Sequence, residues 1–283
     1  MPIGTAFHER TFPLCHSLNY REWSGYYTVS AYEVHHEHEY NAIRNATALI
    51  DISPLYKYLI TGKDATRLVN RVITRDINKV KVGQVIYCCW CDEEGKVIDD
   101  GTISRLEENV YRWTAADPSL RWFRQNGLNL GVHIEDISEK LAALALQGPM
   151  SAKLLKAVAE ADIANLKYFR VTRGKIGGVP VDISRTGYTG DLGYEIWMPW
   201  NDALRVWDVV TPPVPVPPWF CDLVQAVSGR SPAANREVEP IASDSLQPLR
   251  QRFAALQNPD FFSCWAKWFL WDRMKDPAPQ FVP

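Results

Sequence analysis

Strands joined by tight reversals, with short helices between them, are what this sequence predicts. Three patterns carry the reading: a β-hairpin over residues 87–102, a strand–loop–strand unit over residues 179–198, and apolar residues at helical spacing over residues 65–73. With 283 residues, 46% hydrophobic and 12% aromatic, the chain has material for one large globular core or two smaller ones.

Taken in order, residues 20–46 (YREWSGYYTVSAYEVHHEHEYNAIRNA) open as an aromatic strand and continue as a helix-like pattern with one polar side. His35, His36 and His38 sit there among Glu33, Glu37 and Glu39, and a solvated polar face accounts for them better than a metal site. Ile50, Ile52 and Leu55 lead through Tyr58 to Ile60 as strand. Gly62-Lys63-Asp64 turns the chain, and Ala65, Leu68, Val69, Val72 and Ile73 recur at helical spacing, with Asp64 placed as N-cap.

Beyond the central hairpin, residues 109–113 read as strand, and Asp117-Pro118-Ser119-Leu120 opens a helix through Trp122 and Phe123. Residues 132–137 alternate, residues 141–146 form an apolar strand, and the Gln147-Gly148-Pro149 break opens a helix over 151–155. From residue 211 onward lie most of the 19 prolines but only Gly229 of the 16 glycines. With no sustained period apart from short apolar runs, this stretch reads as an irregular, disordered tail.

Composition narrows the partners. A net charge of -2 and a pI near 6.3 give no basic surface for nucleic acid. No apolar run reaches the length of a membrane span. The N-terminus, MPIGTAFHERTFPLC, carries charges and a proline where a signal peptide needs an apolar core, so the cytoplasm is the expected compartment. The six cysteines, at 15, 88, 89, 91, 221 and 264, lack the spacing of a disulfide framework and are expected to be reduced. Cys88 and Cys91 have the spacing of a metal pair, but on a strand they point to opposite faces.

The hairpin YCCWCDEEGKVIDDGT (87–102) is the most informative stretch. Val, Ile, Tyr, Trp and Cys flank an acidic cluster ending in Gly95, which suits a tight reversal. A turn centred between Glu93 and Glu94 puts Cys91 opposite Lys96 and Tyr87 opposite Asp100. Tyr87 and Asp100 then share one face, Asp99 takes the other, and a one-residue bulge would swap the two aspartates. Aspartate is depleted in strands, so a pair of them inside a Val-Ile run marks a candidate site.

The second stretch, VPVDISRTGYTGDLGYEIWMP (179–199), holds Gly187, Gly190 and Gly193 at every third position, a spacing that lets backbone approach a ligand closely. Tyr188 is placed as a flat platform, and Glu195 is a carboxylate fixed in an apolar strand.

LIDISPLYKYLITG, TRDINKVKVGQVIYCCWCDEEGKVIDDGTI, LALQGPMSAKLL and SRTGYTGDLGYEIWMP, in that order and spacing, resemble the folate-binding region of the aminomethyltransferase family, which includes the glycine cleavage T-protein and tetrahydrofolate-dependent demethylases. The resemblance spans roughly residues 20 to 210. It implies an α+β fold of antiparallel sheets with packed helices in two interleaved lobes, 1–54 with 137–210 and 55–136, followed by the irregular Pro-rich tail 211–283. It implies tetrahydrofolate as cofactor, with Asp100 at the reacting nitrogen and Tyr87 in the same pocket. Tyr188 would pack the pterin, Glu195 would accept two hydrogen bonds from it, and Leu55 and Tyr168 would match wall positions.

One-carbon transfer to folate is the implied activity, from a small-molecule substrate or a lipoyl carrier protein, with no metal, nucleic acid or membrane partner. The alternatives are a folate-binding protein without turnover and an inactive truncated fragment. Ala115-Ala116 stand where the family usually has an asparagine, and Pro54 where it has a histidine. The family's next helix is replaced at residue 211 by TPPVPVPPWF, and its C-terminal barrel has no counterpart.

Overall fold

The computed structural model describes residues 1–211, 230–232, 238–240 and 251. Two compact units separate, Met1–Pro212 and Pro213–Pro283. In the second, two three-residue strands, Arg230–Pro232 and Val238–Pro240, pair antiparallel, with prolines only at strand ends. The disorder expected of the tail otherwise concerns residues outside those described.

In the first unit, β1 (Ile3–Gly4), β2 (Asn19–Trp23) and β3 (Tyr26–Ala31) form a sheet in the order β1-β3-β2. Helix α1 (His8–Thr11) lies between β1 and β2 in the chain, and α2 (Glu37–Asn45) follows β3. Strand β4 (Ala48–Asp51) belongs to a six-stranded sheet whose other members come much later. The intervening chain builds a five-stranded sheet, ordered β6-β7-β8-β5-β9, from β5 (Tyr56–Thr61), β6 (Val85–Cys91), β7 (Val97–Glu107), β8 (Val110–Ala115) and β9 (His133–Asp136). Helices α3 (Ala65–Val72) and α4 (Leu120–Asn126) pack on it. The chain then returns with β10 (Leu141–Gln147), α5 (Ser151–Val158), β11 (Ala159–Glu160), β12 (Val171–Ile176), β13 (Val179–Ser184), β14 (Gly193–Pro199) and α6 (Ala203–Val210), giving the order β11-β12-β13-β14-β10-β4. Both large sheets pair antiparallel throughout, which is the α+β class the resemblance implies.

Three local expectations are corrected. The single strand over 50–60 is two, β4 and β5, in different sheets. Ser53 N donates to Asp51 Oδ1 at 2.9 Å and Leu55 N to the Ile52 carbonyl at 3.2 Å, so the chain turns at Ser53-Pro54. Asp64 does stand at the N-cap of α3, but its carboxylate accepts from Gly131 N at 2.7 Å and does not cap the helix. Helix α2 begins only at Glu37, so His35 and His36 precede it.

Strand β10 shows how the core is divided. Its alternate residues Ala142, Leu144 and Leu146 enter one cluster with β13, β14, α5 and α6, while Ala143 and Ala145 enter another with Ile52 and Trp197. A strand buried on both faces reads as a continuous apolar run, as LAALAL does. The five-stranded sheet has its own cluster, in which Trp90 and Trp113 meet edge to face with centroids 5.1 Å apart and Phe123 lies 4.3 Å from Trp113. Each such aromatic pair contributes about 0.5–1.5 kcal/mol beyond the area it buries.

Lys57 on β5 is fully buried and donates its ammonium to the Ser53 carbonyl. Burial holds it down to about 7, against the opposing pull of Asp51 and Asp136. The unfolded chain therefore binds a proton between pH 7 and the ordinary 10.5 that the folded chain does not, and stability rises with pH across that window. Urea unfolding at pH 7 and pH 9 should show this rise in the wild type, by up to about 1.4 kcal/mol per pH unit, and lose most of it in Lys57→Met. An equal slope in both proteins contradicts it.

Candidate functional site

Two interruptions of pairing set the geometry of the central hairpin. Gly95, at φ +80°, donates to the Asp92 carbonyl at 3.1 Å, and Asp92 N donates to the Lys96 carbonyl at 2.9 Å. This displaces the register by one residue from the two-residue reversal expected, pairing Cys91 with Val97 rather than Lys96. A second irregularity, between Trp90 and Cys91, leaves Ile98 unpaired and puts Trp90 opposite Asp99. Tyr87 therefore pairs with Thr102, not with Asp100. Each displacement alone would exchange the faces of Asp99 and Asp100, and the two together restore them.

Tyr87 and Asp100 accordingly share a face as diagonal neighbours, and the Tyr87 hydroxyl donates to Asp100 Oδ2. That bond pushes the hydroxyl's pKa up. Asp100 is exposed. Asp99 points the other way and is buried, accepting from Asp100 N at 2.7 Å, Ala116 N at 3.0 Å and Asp117 N at 2.9 Å. Its carboxylate fastens the segment between β8 and α4.

Asp100 and Tyr87 border a cavity of about 510 Å³ whose walls also include Leu55, Tyr168, Tyr188 and Glu195. All six residues singled out from sequence thus meet in one place. Tyr87, Tyr168 and Tyr188 are 50%, 65% and 68% exposed as residues. Glu195 is 7% exposed. Its Oε2 accepts from Thr186 Oγ1 at 2.7 Å and Ser184 Oγ at 3.4 Å. Burial pushes its carboxyl up, while the two hydroxyls and Arg112 pull it back.

Arg112 reaches from β8 toward the other sheet. Its Nη1 donates to Asp182 on β13 at 2.6 Å, and its guanidinium lies 4.6 Å from the centroid of Trp197, a wall of the cavity. The sheets are also tied along the rim, where Val85 N donates to the Phe169 carbonyl at 3.0 Å and Gln84 bridges Arg170.

The glycine triplet also answers to the protein's own packing, and Gly187 lines the cavity. A Cβ at Gly187 or Gly193 would strike the side-chain amide of Gln147, so both glycines make room for that buried side chain. Gly190 is needed for its φ of +80°. Sequence reading missed Thr102, Thr114, Phe169, Thr186 and Trp197 among the walls. Period two was the available signal for two of them, since Thr102 and Trp197 stand two residues beyond Asp100 and Glu195 on the same strand faces. Thr102 and Thr114 are joined across β7 and β8 by a 2.7 Å hydrogen bond.

Among the described residues no group of three or more His, Cys, Asp and Glu is placed to hold a metal, and no helix is long and apolar enough to cross a membrane. Cys15, Cys88, Cys89 and Cys91 are free thiols.

The family model described as the GCVT N-terminal domain matches residues 16–212. The chain belongs to that family. Among curated members, an aminomethyltransferase of Caldanaerobacter subterraneus subsp. tengcongensis is 34% identical over 61% of this chain and 47% of its own length. A trimethylamine-oxide aldolase of Ruegeria pomeroyi is 35% identical over 74% of this chain and 28% of its own. The chain spans about half the length of the aminomethyltransferases it matches. The fold is shared with the glycine cleavage system aminomethyltransferase T of Bartonella henselae, at a TM-score of 0.65 and 20% identity, covering 74% of this chain and 57% of that one. A heterotetrameric sarcosine oxidase of Corynebacterium sp. U-96 gives a TM-score of 0.51 at 14% identity, covering 74% of this chain and 92% of that chain.

Proposed function

We propose that the cavity binds tetrahydrofolate and that the chain takes part in transferring a one-carbon unit to it. The observation that carries this reading is a buried, hydroxyl-supported carboxylate, Glu195, in the same 510 Å³ cavity as the exposed carboxylate Asp100 and three tyrosine rings. The size suits a small planar ligand, and the residue types fit a pterin: flat walls, plus a carboxylate whose second oxygen is free for a donor. Bound tetrahydrofolate supplies the nucleophilic nitrogen that takes up the one-carbon unit.

The chain's own residues do the rest. Glu195 accepts N–H donors on the oxygen its two hydroxyl partners leave free and fixes the ring's orientation, Tyr188 packs against its face, and Leu55 and Tyr168 exclude water from the walls. Asp100, steadied by the Tyr87 hydroxyl, holds a proton or stabilises positive charge at the reacting centre. The one-carbon donor is a small amine, a methylated compound or an aminomethyl group on a lipoyl carrier.

Calorimetric titration with tetrahydrofolate tests the binding half. Glu195→Gln presents a donor to a donor and should cost about 2–3 kcal/mol of affinity. Unchanged affinity would return Glu195 to a structural role. A second reading is folate binding without turnover, for which the same titration would show binding with no transfer of a one-carbon unit.

A further inference from the structure

A second cavity, of about 560 Å³, lies apart from the first and shares only Tyr188 with it. Its walls come from β2, β3, α2 and β4. We propose that this cavity binds a small organic cation, an alkylammonium, between its aromatic side chains and the carboxylates of Glu39 and Asp51. The assignment does not depend on what the first cavity holds.

The charges argue for it. Glu33, Glu39 and Asp51 face Arg21 and His38 across the cavity walls. Glu33 is engaged with His38, Nδ1 to Oε2 at 2.7 Å, and the Arg21 guanidinium lies 5.7 Å from the centroid of Trp23. Glu39 and Asp51 remain. Glu39 Oε2 is buried and accepts no hydrogen bond among the described residues, with His36 Nδ1 3.7 Å away. Asp51 accepts from Ser53 N, the hydroxyls of Thr5 and Ser53 also help to hold its carboxylate, and Lys57, which faces it as well, gives its ammonium hydrogen bond to the Ser53 carbonyl. Burial pushes the Asp51 carboxyl up, and burial with the charges of Asp51 and Glu39 does the same to the Tyr32 hydroxyl. Both shifts report a poorly solvated, negative interior.

The walls select the class of cation. Trp23, Tyr27, Tyr32 and Tyr188 line the space, and the position of Arg21 over Trp23 shows one aromatic face already serving a delocalised cation. Aromatic side chains with carboxylates recognise alkylated ammonium groups, whose charge is spread and weakly hydrated. A metal ion is the poorer fit, because no described trio of His, Cys, Asp and Glu converges here. An anion would meet the surplus of carboxylates.

The test is an NMR titration of the full chain with choline and with its neutral isostere 3,3-dimethylbutan-1-ol. Choline should shift the Trp23 indole and the amides of Ile43 and Ile50 saturably, and the alcohol should bind about tenfold more weakly. Glu39→Gln and Asp51→Asn should each weaken choline severalfold while leaving the rest of the spectrum in place. Equal binding of the alcohol overturns the proposal, as do shifts confined to first-cavity residues such as Thr102 and Thr114, the absence of a saturable shift, or unchanged affinity in Glu39→Gln.

Discussion

Asp99→Ala lowers the stability of the folded chain by about 2 kcal/mol, because it strips three part-buried backbone N–H groups of one shared, buried acceptor. Those donors are the amides of Asp100, Ala116 and Asp117, and two belong to the segment between β8 and α4. Asp99 itself is 8% exposed, so water takes the place of its carboxylate poorly. Asp99→Asn keeps one acceptor oxygen and should cost about half as much, its amide facing whichever donor the oxygen does not serve. Urea unfolding monitored by tryptophan fluorescence reads both variants. Wild-type midpoints for both would mean that the loop closes without Asp99 and that the hairpin packs differently.

Asp100→Asn should leave stability close to wild type and lower one-carbon transfer about 100-fold or more, with tetrahydrofolate affinity changed little. The side chain is exposed and linked only to the Tyr87 hydroxyl, which an asparagine oxygen can still receive. What the variant loses is the charge, and the proposed mechanism uses that charge chiefly in the transition state. Transfer from an aminomethyl donor, measured at saturating tetrahydrofolate, decides the matter. Loss of affinity with turnover intact would make Asp100 a ligand-holding group. A wild-type chain that binds tetrahydrofolate and transfers nothing would establish the binding-only reading. Stability loss at Asp99 and turnover loss at Asp100 form a matched pair, and exchanged outcomes would place the two aspartates on the wrong faces.

That pair also marks how far local pattern reaches. The alternation of side chains along a strand is local chemistry, and it placed Tyr87 with Asp100 and turned Asp99 away. The pairing partner is not local. It shifted by two residues because Gly95 adopted a positive φ and Ile98 dropped out of the ladder. The face assignment survived since the two displacements cancel, an outcome that no count along the chain could foresee.

Sequence alone was enough to find the strands and helices with clean period, such as β10 and α3, and to single out six residues that converge on one cavity. Apolar periodicity and motif spacing are written in neighbouring residues, so they are legible without the fold. The tertiary structure decided the rest, because the deciding partners are far apart in the chain. Gln147 claims the space at Gly187 and Gly193, Asp64 turns to Gly131, and Arg112 crosses to Asp182 and Trp197. Burial decided the electrostatics as well. Lys57, Asp51 and Glu195 look like ordinary charges in sequence, and only exclusion from water moves their protonation, since desolvation is a property of everything packed around a group.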